Sequence, residues 1–137
     1  MSAANDLAEK VGNILDPALR SIINTEAGDF RPYDRYGVEL PGMTWLPLSL
    51  DSTTGVDLFL LRFAPGAQSM PHEHMAAEQF LMMEGELTDC DGHVFRAGEF
   101  ARFEPGSTHH SHSVDGCLIL VILQSRNRSL NSDPNND

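Results

Sequence analysis

The residues whose types and spacing suit metal chemistry are three histidines and one glutamate. His72 and His74 are one residue apart, and Glu78 follows within the stretch PGAQSMPHEHMAAEQFLMMEG. On a β-strand, residues i and i+2 project from the same face, so both imidazoles would point into one space. Further on, the stretch EPGSTHHSHS places His109 after a Pro-Gly turn. If His109 faces inward, three imidazole nitrogens and one carboxylate oxygen converge.

Neutral imidazoles and a carboxylate suit Fe(II), Zn(II), Mn, Ni or Cu as the bound metal. The alternative without a metal is that these histidines lie on a solvent-exposed strand face, or in the core with their hydrogen bonds satisfied by the protein. The His-x-His pair alone does not distinguish the two. The neighbouring methionines favour apolar packing over ligation, because thioethers prefer soft Cu(I) and the other residues are not soft ligands.

The segments that must position these residues have the pattern of short β-strands. After Asp29, short apolar or alternating runs are separated by turn signals such as Asp91-Gly92 and Pro105-Gly106. This pattern indicates an antiparallel sandwich or barrel. The predicted strands are Met43 to Leu50, Val56 to Phe63, Glu78 to Asp89, His93 to Arg96, Glu99 to Phe103, His109 to Val114 and Cys117 to Gln124.

A helical pattern precedes the strands. Apolar residues recur at helical spacing over residues 6–24, and Asp16-Pro17 suits a helix start with aspartate as the cap. We expect one kinked helix or two short ones, packed on the domain or on a partner. The predicted organisation is an N-terminal helical segment at 1–30, a β-barrel at 31–125 and a flexible C-terminal tail at 126–137, whose sequence is almost devoid of apolar residues.

Composition argues against several classes of partner. The chain has 137 residues, 41% of them hydrophobic and 21% charged, which is typical of one globular domain. A net charge of -11 disfavours binding to nucleic acids and to anionic membranes. No apolar run reaches the about 20 residues that span a bilayer. With two cysteines and no signal-peptide pattern at the N-terminus, we expect a cytoplasmic protein.

Two stretches resemble the motifs of the cupin superfamily. From Gly66 to Gly85 the spacing Gly-x5-His-x-His-x3-Glu-x6-Gly agrees with the first motif at every fixed position. From Gly98 to His109 the spacing agrees with the second motif. There the chain departs from the usual pattern, since the usual proline position holds Glu104 and the usual asparagine position holds a serine. Neither departure removes a ligand.

More closely, the chain is similar to the ChrR-like cupins. The stretches that carry the similarity are GMTWLPL, LLRFAPGAQSMPHEH, LMMEGELTDCDGHVFRAGEF and PGSTHHSHSVDGCLILVILQ, which together cover roughly Pro41 to Gln124. The resemblance implies an all-β fold, a cupin double-stranded β-helix or jelly-roll barrel. It also implies one divalent metal ion, with Fe(II) or Zn(II) favoured over Ni, Mn and Cu. The implied ligands are His72, His74, Glu78 and His109.

Five further residues are candidates for the surroundings of this site. Phe80 and Met82 are expected to form apolar walls of the barrel. In a regular strand His110 and His112 face away from His109, and only a β-bulge would turn one of them inward. Arg102, next to Glu104, is a candidate for the barrel mouth, with a surface ion pair as the alternative.

The resemblance implies two classes of function. The ChrR-like group includes non-haem metal-dependent dioxygenases, oxidoreductases that cleave carbon–carbon bonds of diketone-like or aromatic ketone substrates. It also includes the ChrR anti-sigma factor, so the alternative is a non-catalytic metal-binding sensor or regulatory cupin. No His or Cys precedes His72, which disfavours the second zinc site that ChrR uses to hold its sigma factor. A metal ion that only stabilises the barrel is a third reading, and no residue stands out as a general base.

The run Cys117 to Leu123 bears on assembly, because it is apolar at every position. Both faces of such a strand need cover. One face would fill the barrel, and the other would meet the N-terminal helix or a second subunit. We expect a homodimer, the commonest arrangement, with a small molecule as ligand or substrate.

Overall fold

The computed structural model of the chain describes residues 6, 7, 9, 10, 12, 14–124 and 127–130. Residues 1–5, 8, 11, 13, 125, 126 and 131–137 lie outside it, and with them part of the expected N-terminal helix and most of the expected C-terminal tail. Within the described part of the chain, no helix is long and apolar enough to cross a membrane.

The fold is all-β, as predicted, and consists of curled antiparallel sheets that close into a jelly-roll barrel. The larger sheet has the strand order β1-β2-β3-β10-β5-β6, and β7 and β9 also pair with β5. The smaller sheet has the order β11-β4-β8. The strands are β1 (Arg31–Pro32), β2 (Met43–Leu50), β3 (Asp57–Phe63), β4 (His72–Glu73), β5 (Glu78–Asp89), β6 (Val94–Arg96), β7 (Phe100–Phe103), β8 (Thr108–His109), β9 (Ser111–His112), β10 (Cys117–Leu123) and β11 (Arg128–Ser129).

The barrel interior is filled by alternate side chains of the central strands. Aromatic rings dominate one end of it, where Trp45 packs edge-on against Phe59 at a centroid distance of 5.3 Å. Such edge-to-face pairs contribute about 0.5–1.5 kcal/mol beyond the burial of their area. The core continues along β3, β10 and the first half of β5 through Leu61, Phe63, Phe80, Met82, Ile119 and Val121.

The outer face of β10 is covered in part by the chain itself. Leu46, Leu60 and Leu118 form a second buried cluster on neighbouring strands, and Phe30 packs against it. The segment that carries Phe30 approaches the sheet closely, since a Cβ atom at Gly28 would lie 2.5 Å from a methyl group of Leu46. This cover comes from an irregular segment before β1 and does not involve the expected helix. The homodimer stays a prediction.

The N-terminal segment is α-helical at residues 6, 7, 9 and 10 and forms a second, 3-10 helical stretch further on. Asp16 does cap a helix, because its carboxylate accepts from the Ala18 amide at 3.0 Å with Pro17 in the first turn, but this 3-10 helix spans only Pro17–Leu19. The expected packing of this segment on the domain is not found at Ile14, which is 87% exposed, or at Ile22, which is 78% exposed, and packing on a partner stays a prediction. Short helices are marginal in water without an apolar surface to pack on.

Strand β5 determines where the metal-site residues meet, because it curls strongly around the barrel. A straight strand of this length would separate Glu78 from Asp89 by about 37 Å, yet both residues contact histidines of the same cluster. A register shift opposite Leu118 and a positive φ of 76° at Gly85 allow the bend. A side chain at Gly85 would collide with the carbonyl oxygen of Gly116 at 2.3 Å, so glycine is required there.

Candidate metal centre

The four predicted ligands lie together at one end of the barrel. Strand β4 starts at His72 and pairs with β8, which places His72 directly opposite His109. His74 follows β4, and Glu78 is the first residue of β5. The candidate ligand atoms of the four residues lie within 4.8 Å of one another. Ligands on opposite sides of a metal ion with bonds of 2.0–2.2 Å are about 4.2 Å apart, so the cluster has the dimensions of a metal site.

The Nδ1 atom of each histidine has a hydrogen-bond partner. His72 Nδ1 lies 2.8 Å from the carbonyl oxygen of Met70 and His109 Nδ1 lies 2.8 Å from Asp89 Oδ1. Both partners only accept in these contacts, so each Nδ1 carries its hydrogen and the lone pair is on Nε2. Such outer hydrogen bonds commonly fix the tautomer and the ring orientation of metal-binding histidines.

His74 follows the same rule through a hydroxyl group. Its Nδ1 lies 2.9 Å from Ser107 Oγ. The Ser107 hydroxyl donates to the carbonyl oxygen of Glu104 at 2.6 Å, which leaves its oxygen to accept from the imidazole. All three histidines therefore present Nε2 lone pairs to the interior of the cluster.

The unsatisfied nitrogen of His74 fits a bound metal ion. His74 is fully buried, and its Nε2 has no hydrogen-bond partner among the described residues. Glu78 Oε2 is 2.5 Å away, but with the ring hydrogen on Nδ1 both atoms can only accept, so the contact is not a hydrogen bond. A buried polar atom without a partner costs about 1–3 kcal/mol. A cation between these two atoms would satisfy both, so the residues present fit a metal.

The electrostatics of the cluster favour the protonation states that metal binding needs. Burial lowers the pKa of His72 to about 4, and outweighs the opposing effect of the Met70 carbonyl group. Burial alone would raise the pKa of Glu78, but the contact with His74 and the nearby imidazoles lower it below its ordinary value. Near neutral pH, His72 is thus a neutral imidazole and Glu78 a carboxylate.

A small, mostly apolar cavity adjoins the cluster. It has a volume of about 50 Å³, more than one water molecule needs, and His72, Glu78 and His109 form one part of its wall. Tyr33 also lines the cavity, and burial raises the pKa of its phenol well above its ordinary value. The remaining wall is mainly aromatic and aliphatic and includes Leu61, Phe63, Phe80, Leu87, Ile119 and Val121.

The other candidate residues from the sequence lie in the cavity wall, in the core or at the surface. Phe80 lines the cavity, and Met82 is buried in the core with 1% exposure. His110 and His112 are exposed, as a regular alternation from His109 predicts. Arg102 forms a surface ion pair with Glu104 at 2.8 Å, the alternative that the sequence had left open.

Several residues near the centre were not predicted from the sequence. Asp89 and Ser107 hold metal-site histidines, and Tyr33 and Asn127 line the cavity. Ser107 sits just after the Pro105-Gly106 turn, which was a usable signal. Tyr33 and Asn127 come from segments on either side of the cupin-like region, where no sequence pattern pointed to them.

Comparisons with known proteins agree with this architecture. The model of a family described as the ChrR cupin-like domain matches residues 20–126. A comparison with curated protein sequences gives no match. The fold is similar to the crystal structure of a putative acetylacetone dioxygenase from Methylibium petroleiphilum, with a TM-score of 0.72, 11% identity, and coverage of 86% of this chain and 84% of that one.

Two further solved structures are similar in the same way. An acetylacetone dioxygenase from Acinetobacter johnsonii has a TM-score of 0.71 and 14% identity, over 91% of this chain and 85% of that one. A cupin-like protein of unknown function from Ralstonia eutropha has a TM-score of 0.69 and 23% identity, over 82% of this chain and 77% of that one. At these identities the likeness concerns the fold alone.

Proposed function

The chain belongs to the ChrR cupin-like domain family, and on that premise we propose that it is a non-haem, metal-dependent dioxygenase of a small diketone-like or aromatic ketone substrate. The observation that carries the proposal is the buried cluster of three histidines and one glutamate that adjoins a mostly apolar cavity. The two acetylacetone dioxygenases with a similar fold support the same reaction class.

The proposed roles of the residues follow from the geometry. Nε2 of His72, His74 and His109 and one oxygen of Glu78 would hold the metal ion. Four ligand atoms leave two positions of a six-coordinate ion for a chelating substrate or for substrate and O2. When bound, Fe(II) supplies a Lewis acid and a source of electrons for O2. In the dioxygenase reaction one carbon–carbon bond breaks and both oxygen atoms enter the products.

The chain itself contributes binding, orientation and exclusion of water. Phe80 and the aliphatic wall shield the reacting groups, which protects reactive intermediates from hydrolysis. Because its pKa is raised, the Tyr33 hydroxyl stays protonated over the physiological range and can donate to an oxygen atom of the substrate. The small cavity favours compact ketones over extended ones.

The test is elemental analysis by mass spectrometry of protein purified without oxygen, chelator or added metal. We expect near-stoichiometric iron, and O2 uptake when diketones or hydroxylated aromatic ketones are added. Near-stoichiometric zinc, with no O2 uptake after reconstitution with Fe(II), would overturn the dioxygenase proposal. That outcome would favour the metal-binding sensor, and a search for its partner would follow.

A further inference from the structure

Asn127 is a polar side chain at the metal centre to which the proposed function gives no role. It is 6% exposed and lines the cavity together with Glu78. Its Nδ2 lies 3.5 Å from Glu78 Oε1. The other oxygen of that carboxylate, Oε2, lies 2.5 Å from His74 Nε2. One oxygen of Glu78 therefore faces the histidines and the other faces the amide.

The orientation of the Asn127 amide follows from the chemistry of its neighbour. A carboxylate only accepts hydrogen bonds, so the NH2 group faces Glu78 and Oδ1 points away from it. Within the described part of the chain, Asn127 Oδ1 is buried and has no hydrogen-bond partner. A buried amide oxygen in this state costs about 1–3 kcal/mol. The side chain is thus a poor stabiliser of the fold, and its polar contact is with a metal-site residue.

Strand β11 fixes the position of Asn127. This strand pairs with β4 so that Arg128 lies opposite Glu73 and Ser129 opposite His72. The same register extended by one residue places Asn127 beside His74. An ion pair of 2.5 Å between Arg128 and Glu73 holds the two strands together at the surface. The C-terminal segment therefore brings the amide to β4 and the residue after it, which together carry the two candidate ligands His72 and His74.

We propose that Asn127 is a positioning residue that holds Oε1 of Glu78, so that Glu78 offers only Oε2 to the metal ion. The inference rests on the metal site of the proposed function. One-oxygen binding by Glu78 leaves two of six coordination positions open, whereas two-oxygen binding would leave one. Asn127 in this way preserves the second open position, which a substrate that chelates, or a substrate bound together with O2, requires.

The test compares wild-type protein with Asn127→Leu, a replacement of similar size without polar atoms. Zn(II) affinity is measured by competition with a chromophoric chelator, and the visible absorption of the Co(II)-loaded protein reports coordination. We expect Zn(II) to bind about tenfold more weakly, the Co(II) spectrum to change, and the midpoint of thermal unfolding of the metal-free protein not to fall. Asn24→Leu makes the same exchange at an exposed position and should leave affinity and spectrum unchanged.

Wild-type affinity and an unchanged Co(II) spectrum in Asn127→Leu would overturn the inference. If that variant does not fold, Asn127→Ala serves in its place, since it also removes the amide and adds no bulk. The two proposals fail differently. Wild-type protein that binds metal and shows these effects but consumes no O2 refutes the dioxygenase and leaves the role of Asn127 intact. Wild-type protein that binds no metal refutes both.

Discussion

The hydrogen bond between Asp89 and His109 allows a quantitative test of the metal centre. Asp89 is 8% exposed and accepts from His109 Nδ1 at 2.8 Å and from the Cys90 amide at 3.0 Å. Burial alone would raise the pKa of Asp89, but the hydrogen bond from His109 lowers it below its usual value. The side chain is therefore a carboxylate at neutral pH. Asp89→Asn keeps its size and an accepting oxygen but removes the charge.

The expected loss is a 10- to 100-fold weaker metal affinity, the usual effect of losing such a partner, which corresponds to about 1.4–2.8 kcal/mol. A Coulomb estimate agrees. Through the ring of His109, the carboxylate would lie about 7 Å from a divalent ion, where the attraction is about 1 kcal/mol in water and about 5 kcal/mol at an effective dielectric constant of 20. The expected loss lies between these limits.

The assay is competition for Zn(II) between the protein and a chromophoric chelator, at fixed pH and salt. Asp91→Asn is the matched control, because it makes the same chemical change two residues further on. Asp91 is exposed and accepts from the His93 amide within the turn, at 2.9 Å, so its loss should not alter affinity. Wild-type affinity in a folded Asp89→Asn protein would refute the assignment of His109 as a ligand supported by Asp89.

Two further predictions concern ligands and backbone. His74→Ala should lose most metal affinity yet stay folded. His112→Ala, at an exposed position, should keep full metal content in elemental analysis. Metal retained in the His74→Ala protein would show that His74 is not a ligand. Gly85→Ala should lower the free energy of unfolding in urea by about 2–4 kcal/mol, because it adds a collision with the Gly116 carbonyl to an unfavourable positive φ. Gly92 has a similar φ of 92° but open space around it, so Gly92→Ala should lower the free energy of unfolding by less. Equal decreases in the two variants would show that the structure relieves the collision at residue 85.

Local spacing predicted which neighbouring side chains share a face, and the resemblance to the cupin motifs added His109 to the predicted ligands. The alternation of a strand places His72 and His74 on one face, and the Pro-Gly turn before His109 starts the strand that pairs with them. The alternation also placed His110 and His112 outside. These relations involve neighbours in sequence, where the backbone geometry leaves few alternatives.

The supporting residues depend on contacts between distant segments, which no local pattern contains. Asp89 meets His109 only because β5 curls around the barrel, and Asn127 reaches Glu78 only because β11 adds to the edge of β4. The expected packing of the N-terminal segment on the domain is not found at the described residues for a related reason. The apolar spacing of this segment was a local signal, but at Ile14 and Ile22 no surface of the barrel is available to bury it.

The burial of His72 predicts how the metal-free protein responds to acid. Its pKa is lowered from 6.5 to about 4 in the folded chain, so between these values the unfolded chain takes up a proton that the folded chain does not. The folded state is therefore disfavoured as the pH falls through this range, by up to about 3 kcal/mol. At lower pH, protonation of Glu78 and Asp89, whose pKa values are also lowered, further reduces the free energy of unfolding.

The measurement is urea unfolding of chelator-treated protein at a series of pH values from 7 to 4. His72→Leu has no titrating group at this position. Its free energy of unfolding should therefore depend less steeply on pH between 6.5 and 4. Equal slopes in the two proteins would contradict the buried, neutral state of His72. Adding Zn(II) should raise the free energy of unfolding of the wild-type protein, since the folded chain already holds His72 deprotonated, and should change that of the variant little, because the variant lacks this ligand.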